Sequence, residues 1–301
     1  QEGAEAFSEL IEHIEAGTLQ PQPQDFTQRS YFSLNQRPEC AALLDWRRAA
    51  QPLERLIRAL DFGTYANPVM LPKIDLGSVL LLARQAEIVE ADPALDAGTI
   101  QAFDADTLTV RCADAALKIL RLTDLKGLPV DVAERLRALG MGVGHPLPLP
   151  DAAWADALSQ QVAERCKHEG FWRRRLRRME PVELPFESKS AETGHVWREA
   201  TLPSPIGAAA GSANALIAAL ALLFGRLAGK TTFSLAYVLS ALTLESNPFA
   251  AFFASVVPLP VDLVLEAGLD RLLADISAAI GQAEQKLSYL SDLFARDPEI
   301  N

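Results

Sequence analysis

The chain is poor in the residues that build metal and disulfide frameworks. It holds 3 cysteines and 4 histidines in 301 residues. Cys40, Cys112 and Cys166 form no CxxC pair, which removes the usual zinc and dithiol signatures. An odd, scattered set also argues against a disulfide scaffold and for a reduced, cytoplasmic setting. His13, His145, His168 and His195 lie far apart, with no HH and no HExxH, so no metal-binding residue is expected. No GxSxG elbow supports a serine nucleophile. Lys and Arg number 28 against 39 Asp and Glu, a formal charge of −11. That deficit disfavours broad phosphate-backbone binding, and no nucleic-acid partner is expected. Long apolar runs are missing as well. The most apolar one, 213–224, is too short to span a bilayer and is closed by Arg226, so no membrane association is expected. No signal peptide is visible.

What remains is ordinary globular material: 49% hydrophobic and 22% charged residues, in a length that accommodates two domains. The chain opens at Gln1 inside a helical pattern, with Phe7, Leu10, Ile11 and Ile14 at helical spacing. That reads as a piece excised from something longer. This first helix is expected to end at Gly17. A second is expected over Leu43–Leu60, with Asp45 as N-cap and Gly63 beyond its end. SVLLLARQAEIVE, GTIQAF, TLTVRCA and ALKILRLTDL are strand-like runs cut by Asp, Gly and Pro, and they predict a small barrel. A short helix is expected over Val130–Leu139. GMGVGHPLPLP follows as a linker, because repeated Pro withholds backbone donors.

The second half alternates helices and strands, which predicts an α/β layering. A long helix is capped by Asp151 and runs to about Arg178. EPVELPFE is extended and HVWREATL is a strand. Ser212–Leu227 is a helix apolar on nearly every side, hence expected to be buried. TTFSLAYVL and AFFASVVPLPVDL are strands. Gly268–Leu287 and Ser288–Arg296 are helices.

Two stretches invite functional readings. GRLAGKTT, 225–232, has the composition of a phosphate-binding loop. It has three residues rather than four before its Gly-Lys pair, and it leaves a helix for a strand, the reverse of a phosphate loop. Gly229 therefore reads as a helix C-cap, with Lys230 and Thr231 as turn residues. FWRRRLRRME, 171–180, carries five arginines. Trp172, Leu176 and Met179 at i, i+4 and i+7 make it an amphipathic helix with arginines on its solvated faces; docking of an acidic carrier domain is its best functional use. Alone, these residues propose no catalytic constellation.

AGTLQPQPQ, RSYF, LLDWRRAAQPLERLIRAL, NPVMLP, AGTIQAF and TLTVRCADAALKI occur in this order. The series resembles the C-terminal domain of the methionyl-tRNA formyltransferase family. The matching features are the PQ linker at Gln22, Asp45–Trp46, the IRAL helix end at Ile57–Leu60, the GTI turn at Gly98–Ile100 and a "DGAL"-like hairpin at Asp114–Leu117. Ala115 stands where the family has Gly, and Ala97 where it often has Pro. The resemblance spans residues 3–127 and implies a small OB-like barrel. The family's catalytic Asn, His and Asp lie in an N-terminal domain that binds formyl-tetrahydrofolate, so no catalytic residue carries over.

The second half is similar to the later part of a nonribosomal peptide synthetase condensation domain, over residues 168–301. FWRRRLRRMEPVELPF resembles that family's "YW…L…LP" connector, NALIAALALLFGRLAGKTTFSLAYV its buried helix, turn and strand, and AAFFASVVPLPVDL its "GFFVNTLPLRVD" strand. The catalytic HHxxxDG motif is absent. Ser255 and Val256 replace the family's Asn and Thr, and Pro260 replaces its Arg.

Together these readings predict an α+β chain. Residues 1–127 form an OB-like barrel with its preceding helix, 128–150 a Pro/Gly-rich linker with a short helix, and 151–301 an α/β, chloramphenicol-acetyltransferase-like half-domain. The expected role is a non-catalytic structural segment of a synthetase initiation region. It would join a formyltransferase-like head to an adenylation domain, with those domains and an acyl or peptidyl carrier as partners. No catalytic, cofactor-binding or metal residue is expected in this chain; formyl-tetrahydrofolate and phosphopantetheine belong to the parent protein. The alternatives are a condensation-like acyltransferase lobe using residues outside the family motif, with His195 as base, or an RNA- or carrier-binding module.

Overall fold

A computed structural model describes residues 2–33, 35–185, 213–239, 247–264 and 266–300. The strand expected at HVWREATL lies outside the described residues. The chain divides into two units, 1–36 and 37–301. In the first, helix α1 (Glu2–Glu15) stops at Gly17, whose φ is +66°. Asp25 then caps a single 3-10 turn by accepting from the Thr27 N–H at 2.9 Å.

The second unit is mixed α+β. Its first part is a curled five-stranded antiparallel sheet, a half-barrel consistent with an OB-like fold. The strands are β1 (Lys73–Asp75), β2 (Leu80–Val89), β3 (Ile100–Phe103), β4 (Leu108–Arg111) and β5 (Ala116–Thr123), in the order β1-β2-β5-β4-β3. The four longer runs lie where the alternating sequence placed them; the short β1 lacked a pattern long enough to read. Register shifts at Ala83–Ala86 let β2 bend while it pairs with β5. Ile74, Leu81, Ala83, Ile100, Leu108, Val110, Leu117 and Ile119 form the concave core.

Helix α2 (Ala50–Leu60) closes that core through Ala50, Leu53 and Ile57. It begins well after Leu43, and Asp45 does not cap it. Asp45 binds the Arg47 guanidinium instead. The cap comes from across the sheet: Asp114 Oδ1 accepts from the Ala50 N–H at 2.8 Å. The residues before α2 are held in place by a Leu44 N–H bond to the Lys73 carbonyl.

Helix α3 (Val132–Ala138) is capped by Asp131. The Pro-rich stretch after it has no helix or strand, yet it is fastened to β3. Ile100 N–H donates to His145 O, Leu147 N–H donates to Gly98 O, and Leu147 is buried.

Asp151 caps the next helix, as expected, but that helix breaks at Lys167–His168. The pieces are α4 (Ala152–Cys166) and α5 (Glu169–Arg177). Helix α6 (Ala213–Ala228) precedes β6 (Thr232–Val238). That strand pairs antiparallel with β7 (Val256–Asp262), and α7 (Leu269–Gln285) and α8 (Leu293–Arg296) follow. Phe233, Leu259 and Val261 pack against Ala218 and Ala221 of α6 and Ile276 and Ile280 of α7. Helix α6 is therefore buried on one face; Leu220, Leu223 and Leu227 remain exposed on the other, correcting the expectation of burial all round. Strand β7 starts at the sixth residue of its predicted run, after a 3-10 turn at Ala250–Phe252. The predicted helix Ser288–Arg296 shrinks to its last four residues. Leu287 turns at φ +58°, and Phe253 pairs with Leu290.

Candidate functional site

The densest polar chemistry lies where α5, α8 and the half-barrel meet. Their shared core draws Leu43, Leu60, Met70 and Leu80 together with Leu158, Trp172, Leu176, Phe253 and Leu293. Inside it, Lys73 and Asp292 are fully buried and bonded at 2.8 Å. The Lys73 ammonium also donates to the carbonyls of Leu71 (2.9 Å) and Ala41 (3.2 Å), so its three protons meet three acceptors. Asp292 accepts further from the Leu71 N–H and from Arg296 Nε, both at 2.9 Å. Arg296 turns its other two nitrogens to Glu169 (2.7 and 3.1 Å), and Nη1 also reaches the Asn67 carbonyl at 3.1 Å. The chain of charges continues through Arg173 to Glu169 and Asp297, and through Arg177 to Asp297 and Glu299.

Burial works against the ionised forms of Lys73, Asp292 and Arg296. It would raise the Asp292 pKa, but the charges of Arg296 and Lys73 and the hydrogen bonds outweigh it and hold the carboxyl well below the usual range. Burial lowers the Lys73 pKa, opposed by Asp292. For Arg296 burial is again the largest influence, and Asp292 and Glu169 overcome it to raise the pKa. Breaking one partner of such a network strands a buried charge, so it locks its elements together.

Asn67 serves the same junction. Its Nδ2 donates to the Leu60 and Met70 carbonyls, its Oδ1 accepts from the Val69 N–H, and its backbone N–H donates to Arg296 O at 2.8 Å. A three-residue left-handed turn, Cys40–Ala42 (φ 49°, 55° and 57°), lies beside it. Left-handed backbone costs L-residues about 1–2 kcal/mol each. Here it is held by the Cys40 N–H bond to Ser159 Oγ at 2.8 Å and by Lys73 on the Ala41 carbonyl.

An apolar groove of about 580 Å³ opens next to this junction. Its floor is the outer face of β6 and β7, at Ser234, Ala236, Val256 and Pro258; Met179 and Tyr289 stand among its walls. Tyr289 is 3% exposed, and its hydroxyl makes no hydrogen bond among the described residues. Burial pushes its pKa up to about 12, so it is a neutral donor. The cysteines offer no nucleophile: burial raises Cys40 and Cys166 to about 11 and Cys112 to about 12. Among the described residues, no group of three His, Cys, Asp or Glu converges as a metal site, and no helix is long and apolar enough to cross a membrane.

The sequence motifs resolve as follows. GRLAGKTT contains a helix C-cap: Gly229 has φ +64°, and Lys230 N–H donates to Gly225 O. Gly225 is a packing position, since a Cβ there would overlap Leu263 Cδ1 and lie 2.9 Å from Lys230 O. The five arginines divide. Arg173 and Arg177 point inward to carboxylates, whereas Arg174, Arg175 and Arg178 make no ion pair among the described residues. The expectation that all five are solvated fails for Arg173 and Arg177, which Glu169 and Asp297 face, and for Arg175, whose Nη1 is buried. His13 is hydrogen-bonded to Thr18, His168 is the N-cap position of α5, and His145 supplies its carbonyl to β3. His195 lies outside the described residues. Asp292 and Arg296 carried a weak signal, an i,i+4 acid–base pair in SDLFARD; nothing local announced Lys73.

Residues 38–139 match the family described as formyl transferase, C-terminal domain. The chain is similar to the methionyl-tRNA formyltransferase of Ectopseudomonas mendocina, 36% identical over 128 residues, which are 42% of this chain and 38% of that protein. It is likewise similar to that of Pseudomonas entomophila, 36% over 120 residues (40% and 36%), and that of Paraburkholderia phytofirmans, 32% over 153 residues (50% and 44%). The chain thus spans less than half the length of these relatives.

Proposed function

We propose that this chain is a non-catalytic structural segment of a nonribosomal peptide synthetase initiation region. In this reading it holds a formyltransferase-like head at a set distance from a downstream adenylation domain and a carrier. Residues 1–127 complete the formyltransferase-like part. Residues 151–301 are a partial condensation-like lobe of the chloramphenicol-acetyltransferase type, with β6 and β7 backed by α6 and α7. Formyl-tetrahydrofolate and phosphopantetheine are then ligands of neighbouring domains. The observation that carries the proposal is the buried charge network. Seven charged side chains, from Lys73 in the half-barrel to Glu169, Arg173 and Arg177 on α5 and to Asp292, Arg296 and Asp297 near α8, make one rigid splice of two parts. A splice of this kind fixes geometry and does no chemistry.

The test uses the full synthetase. Asp292→Asn is expected to lower product formation while amino-acid-dependent adenylation stays at its original rate. Unchanged product output, or formyl transfer or condensation by the isolated chain, would overturn the reading.

The groove favours a second reading, an acyltransferase lobe working without the family motif. Its volume falls in the range of small-molecule sites, and the Tyr289 hydroxyl is a free donor at its wall. If it catalyses, Tyr289→Phe or His195→Ala in the full synthetase lowers turnover with adenylation intact. Normal product from both variants disposes of this reading.

A further inference from the structure

Helix α5 sorts its arginines by turn of the helix. Arg173 and Arg177, four residues apart, face the junction and are neutralised by Glu169 and Asp297. Phe171, Arg174, Arg175 and Arg178 are spaced i, i+3, i+4 and i+7 and share the adjacent face. Arg174 and Arg178 are exposed, and none of the three arginines has a carboxylate partner among the described residues. The Nη1 of Arg175 is buried without an acceptor, and its guanidinium lies 4.7 Å over the Phe171 ring. Trp172 links this face to Lys286 through an Nε1–H bond to the Lys286 carbonyl. At the start of α5 the His168 pKa is lowered, first by burial and then by Lys286 and Lys167, with Glu164 opposing them.

This cluster stands out against a chain of net charge −11. Helix-dipole complementarity explains cations in a last turn. It does not explain why Arg174, Arg175 and Arg178 stand together on one face with no carboxylate partner among the described residues. We infer that the Arg174–Arg175–Arg178 face is a docking surface for an acidic helical face of another protein. The complementarity is of charge at the arginines and of apolar contact at Met179, which is 40% exposed beside them. A nucleic acid fits less well. The Phe171 ring is half-buried, with Arg175 over one face and Trp172 in T-shaped contact at 5.0 Å, so it offers a base at most one partly exposed face. Three unpaired arginines are also fewer than the 6–10 phosphate contacts of a typical binder. The inference stands independently of the synthetase reading, because it needs only this face and its charge.

The experiment titrates the full chain against a fluorescent amphipathic helical peptide of Glu and Leu, with a single-stranded RNA oligonucleotide as the second probe. The peptide is expected to bind with salt-sensitive affinity. Arg174→Glu with Arg178→Glu should weaken it at least tenfold, while Arg135→Glu with Arg137→Glu on α3 should leave it within twofold. Both arginine pairs are exposed, so unchanged far-UV circular dichroism verifies folding. No peptide binding, equal losses in the two variants, or tighter binding of the RNA than of the peptide would each overturn the inference.

Discussion

Asp292 Oδ2 accepts a hydrogen bond from Lys73 Nζ at 2.8 Å, across 219 residues of sequence and with neither side chain exposed. Around that contact the half-barrel, α5 and α8 become one body. Asp292→Asn keeps the shape and removes the charge, leaving Lys73 buried without a counter-ion and Arg296 with Glu169 alone. The expected loss is about 3–5 kcal/mol of unfolding free energy. Urea denaturation of both proteins measures it, and a loss below about 1 kcal/mol would mean the network is not what joins these elements.

The same carboxylate sets an acid limit. Its pKa is depressed in the folded chain from an ordinary value of 3.8. A depressed carboxylate contributes stability that is fully present above the unfolded pKa and is lost as pH falls toward the folded one. The thermal midpoint is therefore expected to fall below about pH 4. The gap between the original chain and Asp292→Asn should narrow over that interval. A gap constant from pH 7 to pH 3 would show that folding does not depress the Asp292 pKa.

Gly225 and Gly229 fail by different routes when replaced by Ala. At Gly229 the cost is the left-handed backbone, about 1 kcal/mol. At Gly225 a methyl would overlap Leu263 and crowd the Lys230 carbonyl, an overpacking expected to cost about 1–3 kcal/mol. Denaturation midpoints of the two variants should rank Gly225→Ala as the less stable. Nucleotide should protect neither, since the loop is a C-cap and no anion cradle.

Strand β7 has an edge that no described strand covers. Leu239 N–H bonds Ser255 O and Leu263 N–H bonds Thr231 O, so odd-numbered residues of β7 pair inward and even-numbered ones face outward. Pro258 and Pro260 are both even, and they delete two outward N–H donors where strand addition would begin. Pro258→Thr with Pro260→Thr restores those donors. The expected outcome is concentration-dependent association in sedimentation velocity; a variant as monodisperse as the original would refute the role given to the prolines.

Much of the architecture was legible because local patterns and local rules agree. The alternation in SVLLLARQAEIVE and TLTVRCA marked β2 and β4, and Gly229 marked the end of α6. Asp151 caps the helix it precedes, whereas the short helix read from Val130 begins two residues later, behind its cap Asp131. Asp45 misled because it satisfies the same local rule, a short acid before an apolar period, yet binds Arg47. The true cap of α2 is Asp114, 64 residues away, at the hairpin that the formyltransferase resemblance had singled out. The substitution of Ala115 for the family's Gly is tolerated because that residue does not adopt positive φ. The FWRRRLRRME stretch reads as uniformly solvated until Asp297 arrives to claim Arg173 and Arg177.

By itself the sequence determined most of the order of helices and strands, the small barrel in its first half, the C-cap in GRLAGKTT and the similarity of that half to formyltransferase C-terminal domains. Those rest on interactions between residues a few positions apart or on alternation along one strand. Only the tertiary structure decided that Lys73, Glu169, Asp292, Arg296 and Asp297 are one buried network, which arginines of α5 face inward, and that Asp114 caps α2. Such pairings depend on which distant segments are folded together. The strength of each depends on the exclusion of water around it, and neither is written in local spacing.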